Sequence, residues 1–325
     1  MPCSTIMPAS STPSSASTAP AAASARSCRH RCLWIADASP RLLGFDGILP
    51  NSLHGYSSLD LELAVLSSLA IFTANLARFA ETLFLWASTD FGFLRFGSSF
   101  TGTSYAMPHK RNPYALRLAR PAAARVAGAL AETTQLFAGG LELVGNGVIH
   151  VPNRTIEAID VVRDLCAVLA EAIPTIEVNR SRMHASAVGG MGSSPQLVFH
   201  LVEHHGIPYR QAHELTGRIV SRAMAEGISL VHLPAAVIEE VINDGQQPGH
   251  AIDTDALARA LDPEAVVASR GGGGPSPESV ATEIESMSTA LLSIDAALDV
   301  HRERRRQGRE RLARRVGAIL ESGRG

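Results

Sequence analysis

The sequence predicts an all-α protein, a long central helical bundle followed by a small helical C-terminal domain. Three observations carry this. From Ser57 onward apolar residues recur at three- and four-residue steps, the spacing of one face of a helix. The first such segment runs from Ser57 to Trp86, about 30 residues, without a proline or glycine. No alternation of apolar and polar residues runs far enough to make a strand of useful length.

Residues 1–43 read as a low-complexity extension, disordered or wrongly assigned to the chain. Met1 to Ala25 is rich in Ser, Ala, Thr and Pro, contains no acid, and lacks the continuous apolar core of a secretory signal. Ordering a backbone costs roughly 1–2 kcal/mol per residue. The segment offers little apolar surface to offset that cost, so Met1 to about Pro40 is expected to pack poorly.

Residues 44–190 are read as part of the central bundle. Leu61, Val65, Leu66, Leu69, Phe72, Leu76, Phe79, Leu83 and Phe84 mark the first helix. Ser57 or Ser58 supplies its N-cap, and Asp60 and Glu62 face its positive end. About 30 residues at 1.5 Å each make a rod of roughly 45 Å, apolar on more than one side and therefore in need of partners. Asp60, Glu62, Asn75, Arg78 and Glu81 within Leu59 to Trp86 argue against a membrane span. A Gly-, Ser- and Thr-rich loop follows from Asp90 to Pro113, and Pro113 opens a second helix through about Ala138. Gly139-Gly140 ends it. A third helix runs from about Thr155 to Ile173, where Pro174 breaks it.

Residues 191–325 form the C-terminal domain. The run from Gly189 to Pro195 reads as a linker, shorter helices come next, and a final helix runs from about Pro277 into an arginine-rich tail.

Of the chain's 325 residues 46% are hydrophobic, enough for a sizeable core, and its net charge is −2. That balance gives no electrostatic reason to expect nucleic acid or a membrane surface as partner. The arginines from Arg302 to Arg315 are interrupted by Glu303 and Glu310 and read as a solvated helix face. Cys3, Cys28, Cys32 and Cys166 suggest no disulfide framework and fit a reducing cytoplasm. Cys28, His30 and Cys32 look superficially like zinc ligands, but no second pair follows at a finger-like distance. No metal and no cofactor is expected.

The chemistry sits in the loop, at Thr103-Ser104-Tyr105-Ala106-Met107-Pro108-His109-Lys110-Arg111-Asn112-Pro113. A surface loop before a proline-started helix would explain Pro113 but not the ordered Met-Pro, Lys and Asn. The order resembles the signature G-S-S-x-M-P-x-K-x-N-P of the fumarase/aspartase superfamily, matched at Ser104, Met107, Pro108, Lys110, Asn112 and Pro113. Leu42-Leu43-Gly44-Phe45-Asp46-Gly47 with Pro50-Asn51-Ser52-Leu53 resembles L-L-G-F-D-G-x-x-P-N-S-L of its argininosuccinate lyase branch. Leu85-Trp86-Ala87-Ser88 with Phe91-Gly92-Phe93, Pro208-Tyr209-Arg210-Gln211-Ala212-His213, and Gly271 to Pro277 with Val280 continue the likeness.

The resemblance implies β-elimination of fumarate from an N-succinyl substrate, with argininosuccinate yielding arginine. It makes Ser104 the base that takes the Cβ proton, while Lys110 and Asn112 bind and polarise the carboxylate. Asn51, Ser52, Thr103 and Met107 would contact substrate, and the active sites would be shared within a homotetramer. The types suit the chemistry. Removing a proton beside a carboxylate leaves a dianion, which a fixed ammonium and preorganised donors must meet as it develops. A mobile loop admits substrate and then closes over it. His204, His205 and His213 lie in the C-terminal domain, where this family does not place its acid.

The departures are equally specific. The family's amino-terminal portion, with a catalytic histidine in a T-x-H-x-Q-x-A-Q setting, has no counterpart here; His30 lies between Arg29 and Arg31 with none of that motif around it. The signature's glycine is Thr103, beside Gly102, and its second serine is Tyr105. The branch's substrate run Y-N-K-D-x-Q-E-D-K is replaced by Val144-Gly145-Asn146-Gly147-Val148-Ile149-His150-Val151-Pro152. The Met-Pro-His-Lys-Arg-Asn-Pro wording is closer to adenylosuccinate lyases. An adenylosuccinate-type substrate, a specialised lyase in which aspartate donates nitrogen, and a non-catalytic lyase-fold subunit therefore stay open as alternatives.

Overall fold

The computed structural model describes residues 18–19, 45, 47–48, 51, 58–103, 106–107, 111–138, 151–244 and 253–322. The zinc look-alike at Cys28, His30 and Cys32, the glycine pair Gly139-Gly140 and the rewritten stretch up to His150 lie outside them.

The all-α expectation holds. The long helices are α1 (Asp60–Trp86), α3 (Ala119–Phe137), α4 (Val151–Ala172) and α11 (Pro277–Ser322). Between them lie α2 (Tyr114–Arg117), α5 (Arg180–Gly189), α6 (Ser194–His205), α7 (Tyr209–Glu226), α8 (Ala235–Asn243), α9 (Thr254–Leu261) and α10 (Pro263–Ala268). Strands among the described residues are two or three residues long and pair only two at a time. They are β1 (Thr18–Ala19) with β2 (Gly47–Ile48), β3 (Leu94–Arg95) with β6 (Glu177–Val178), and β4 (Thr101–Thr103) with β5 (Arg111–Pro113).

The helix limits follow from local chemistry. The Ser58 hydroxyl accepts the Asp60 N–H at 3.3 Å, and Asp60 and Glu62 occupy the first turn of α1. The second helix departs from expectation: it is interrupted at Leu118, between α2 and α3. Pro121 is the cause, because it has no N–H to give the carbonyl of Arg117 and its ring crowds that turn. The third helix begins four residues earlier than expected, at Val151. Pro152 sits in its first turn, where a missing N–H costs nothing. Thr155 does not cap from outside; its hydroxyl donates to the Val151 carbonyl at 3.2 Å, from within the helix. Pro174 ends α4 as expected, in a 3₁₀ turn over Ile173–Thr175. The Gly189 to Pro195 linker is tighter than its composition suggests, since α5 runs to Gly189 and α6 begins at Ser194.

The chain divides into two compact units. One comprises residues up to Arg78, Leu118–Ala167 and Leu291–Gly325. Its core joins Leu66 of α1, Val126 of α3, and Ala158 and Val162 of α4, with Leu69, Ala70, Ala129, Leu130 and Cys166 against them. Burial pushes the Cys166 thiol up from its ordinary range, so it is a packing residue and not a ready nucleophile. By length and mean hydropathy α1 could cross a bilayer. Arg78 and Glu81 within it oppose that, each costly in hydrocarbon.

The other unit comprises Phe79–Arg117 and Val168–Ala290. Leu197, Leu201, Ile219, Leu230 and Ile238 are at most 1% exposed and join α6, α7 and α8. Leu257 and Leu261 bring in α9. The Ser193 hydroxyl, buried, donates to the Leu261 carbonyl at 2.7 Å and ties the start of α6 to the end of α9. Gly206 ends α6 at φ 66°, the left-handed region glycine adopts without Cβ strain. His213 is exposed on α7, in keeping with a surface histidine.

His200 is the buried titratable group of this core, 3% exposed, with the His204 ring tilted beside it at 4.6 Å and the His205 ring edge-on at 5.5 Å between ring centres. Burial, then the like charges of His204 and His205, lower its pKa, against the weaker pull of Asp253 and Glu203. A base whose folded pKa is lowered takes up protons preferentially in the unfolded chain. Stability is therefore retained above the unfolded value, about 6.5, and lost as pH falls through the lower folded value. Urea midpoints at pH 7.5 and 5.5 should show a drop that His200→Phe reduces; an equal drop in the variant would assign the effect to other groups.

Candidate active site

The antiparallel hairpin of β4 and β5 pairs Thr101 with Pro113, Gly102 with Asn112, and Thr103 with Arg111. The signature loop is thus held at its base by backbone hydrogen bonds, and the chain between Thr103 and Arg111 forms its tip. Ser104 and Lys110 fall in that tip and, like Ser52, lie outside the described residues. Thr103 is exposed at the end of β4, Asn112 is half-buried in β5, and Met107 is exposed in the tip. Asn51 is exposed and belongs to the other unit.

Gly102 is required for space and not for backbone conformation. A Cβ there would lie 1.6 Å from Cε2 of Tyr114, so the ring covers the position that a side chain would occupy. Arg117 in turn places its guanidinium over the Tyr114 ring at 5.8 Å from the centroid. The glycine that stands one place before its position in the signature therefore lets the first turn of α2 pack on the hairpin.

The hairpin borders a cleft of about 1200 Å³ whose lining includes Thr101, Met107, Arg111, Asn112 and Pro113. Another part of its lining is built by tying residues 90–97 to residues 175–182. Leu94 pairs with Val178 and Arg95 with Glu177. The Asn179 N–H donates to the Phe93 carbonyl at 2.8 Å, and the Gly97 N–H donates to the Thr175 hydroxyl oxygen at 3.1 Å. The Arg182 guanidinium donates to the carbonyls of Asp90 (3.1 Å) and Phe91 (3.2 Å). Asn179 caps α5 by accepting the Arg182 N–H at 3.1 Å, so one residue fixes both the helix and the wall. Phe93 meets Trp86 and Phe91 edge-on at 6.3 and 5.4 Å.

Arg95, Asn179 and Arg182 escaped the sequence analysis although all three line the cleft. Strands of two residues leave no alternation to read. The available signal was weaker: arginines at positions 95 and 111 within a loop rich in Gly, Ser, Thr and aromatic residues. The cleft lining holds Arg95, Arg111 and Arg182 against Asp90 and Glu177.

Residues 35–128 match the Lyase family, and residues 197–268 match the argininosuccinate lyase C-terminal family. Argininosuccinate lyase from Thermus thermophilus is 35% identical over 246 residues, 75% of this chain and 51% of that protein. Argininosuccinate lyase 1 from Shouchella clausii is 30% identical over 254 residues, 78% and 51% of the two chains. Over these stretches the chain is argininosuccinate lyase-like. It spans about half the length of the curated relatives it matches. Among solved structures, EDDS lyase in complex with formate superposes with a TM-score of 0.79 at 27% identity, covering 87% of this chain and 56% of the other. The class II fumarase of Schistosoma mansoni, with a TM-score of 0.51 and 16% identity over 67% of this chain and 42% of its own, shares the fold. The argininosuccinate lyase-like reading of the sequence holds, and the relatives do not favour the alternatives left open above.

Proposed function

We propose that this chain carries the proton-abstracting part of an argininosuccinate lyase, which eliminates fumarate from argininosuccinate to leave arginine. The observation that supports this most directly is the hairpin: it holds Asn112 on the wall of a large cleft, at the base of the loop whose sequence carries Ser104 and Lys110. In this reading Ser104 removes the Cβ proton and electrons move into the adjacent carboxylate. Lys110 and Asn112 meet the developing dianion, and the C–N bond then breaks with a proton delivered to nitrogen by an acid from outside this loop. Asn51, Ser52, Thr103 and Met107 contact the substrate.

The same reading makes the chain a soluble, cytoplasmic homotetramer with shared sites. Exposed Leu61, Ile71, Phe72, Phe79 and Leu85 along α1 support it, because such a surface favours association; a stable micromolar monomer by light scattering would refute that assembly. The activity is tested by following fumarate absorbance with argininosuccinate. Release is expected when the chain is supplied with a segment bearing the histidine motif, and not from the chain by itself. Its failure to appear in that mixture, with adenylosuccinate consumed instead, would overturn the substrate assignment.

A further inference from the structure

The cleft wall carries positive charge that the structure leaves unspent. Of its three arginines, Arg182 is committed to two backbone carbonyls. Arg95 and Arg111 form no ion pair among the described residues, and both side chains are exposed on the cleft. Glu177 stands directly across from Arg95 in the β3–β6 register, yet the two carry no salt bridge. An acid directly opposite that makes no ion pair with its arginine leaves that guanidinium available to a ligand. Arg111 is the register partner of Thr103, so it sits at the base of the signature loop.

We propose that Arg95 and Arg111 form an anion subsite that takes the second, non-reacting anionic group of the substrate. This rests on the lyase reading above and names what that reading leaves unassigned. An N-succinyl compound bears two carboxylates. One becomes the dianion and is met by Lys110 and Asn112; the other keeps the same charge from ground state to transition state. Arginine suits such a group, because guanidinium is always ionised and binds a carboxylate or a phosphate through two parallel N–H bonds. Binding that is equal in both states lowers KM and leaves kcat unchanged. Arg95 and Arg111 are thus binding and specificity residues, distinct in effect from Lys110 and Asn112. Carboxylate and phosphate share this recognition chemistry, and the two are separated by the ligands used below.

The test is titration of the full chain with succinate and, separately, inorganic phosphate, read by NMR shift changes, for wild type, Arg95→Gln, Arg95→Lys, Arg111→Gln and Asn112→Ala. Succinate is expected to bind about tenfold more weakly to each Gln variant, the loss of a charged hydrogen bond, with Arg95→Lys intermediate and helix content unchanged in all. Phosphate that competes with succinate and shows the same arginine dependence would extend the subsite to phosphate-bearing substrates and supports the proposal. Succinate binding that falls in Asn112→Ala but not in either Gln variant would overturn the arginine subsite and leave the lyase reading intact. Phosphate binding that needs both arginines, without any succinate binding, would keep the subsite and remove the lyase reading. A wild-type chain that binds neither anion would overturn the proposal.

Discussion

Ser104→Ala is expected to lower fumarate release by about 10²–10⁴-fold, the usual loss when a positioned general base is removed. The measurement is fumarate absorbance with argininosuccinate, for the chain supplied with the histidine-bearing segment, wild type against variant. The size follows from the reaction. The Cβ proton is weakly acidic, so moving it makes up much of the barrier, and the other polar residues fixed by the signature are not bases: Lys110 is a cation and Asn112 an amide. The fold should be indifferent, since the loop is closed at its base by the backbone pairs from Thr101–Pro113 to Thr103–Arg111. KM should therefore change little while kcat falls. Equal turnover by wild type and variant would remove Ser104 from the mechanism.

Leu201→Ala should cost about 2–5 kcal/mol of stability, the range for emptying a fully buried leucine position. Leu201 is 0% exposed within the core that joins α6 to α7, α8 and α9, so a truncation leaves a cavity that several rigid helices would have to close. The substitution leaves the backbone carbonyl of Leu201 free to accept the N–H groups of Gly206 and Ile207 that end α6. Denaturant unfolding followed by circular dichroism gives the number, with Leu320→Ala, at 62% exposure on α11, as the matched surface control within about 0.5 kcal/mol of wild type. A loss below about 1 kcal/mol for Leu201→Ala would mean that this core repacks freely.

These expectations draw on different amounts of the sequence. The long helices were legible because their signal is local. Leu66, Leu69 and Phe79 repeat at helical spacing, Ser58 and Asp60 mark a start, and Pro174 marks a stop, all within a few residues of the feature they govern. The break at Leu118 was legible too, in Pro121, and the early start of α4 in Pro152. Pro113 and Thr155 are the more conspicuous signals near those two places. The signature residues were legible for another reason: their chemistry demands fixed types in a fixed order, and that order survives in one dimension.

By itself, then, the sequence determined the helical class, the faces that must be buried, and the identity of the loop bearing Ser104, Lys110 and Asn112. Tertiary structure alone decided where that loop is clamped, that Tyr114 fills the space over Gly102, and that Arg182 and Asn179 build a wall with residues 90–93. It also decided which arginines remain available. The physical reason is range. Arg182 meets the Phe91 carbonyl across 91 positions of chain, and Gly97 meets Thr175 across 78. A two-residue ladder between such distant segments has no period to detect. An arginine reads the same in the sequence whether its charge is consumed by two carbonyls, as in Arg182, or left facing an open cleft, as in Arg95. Only the folded neighbours distinguish them.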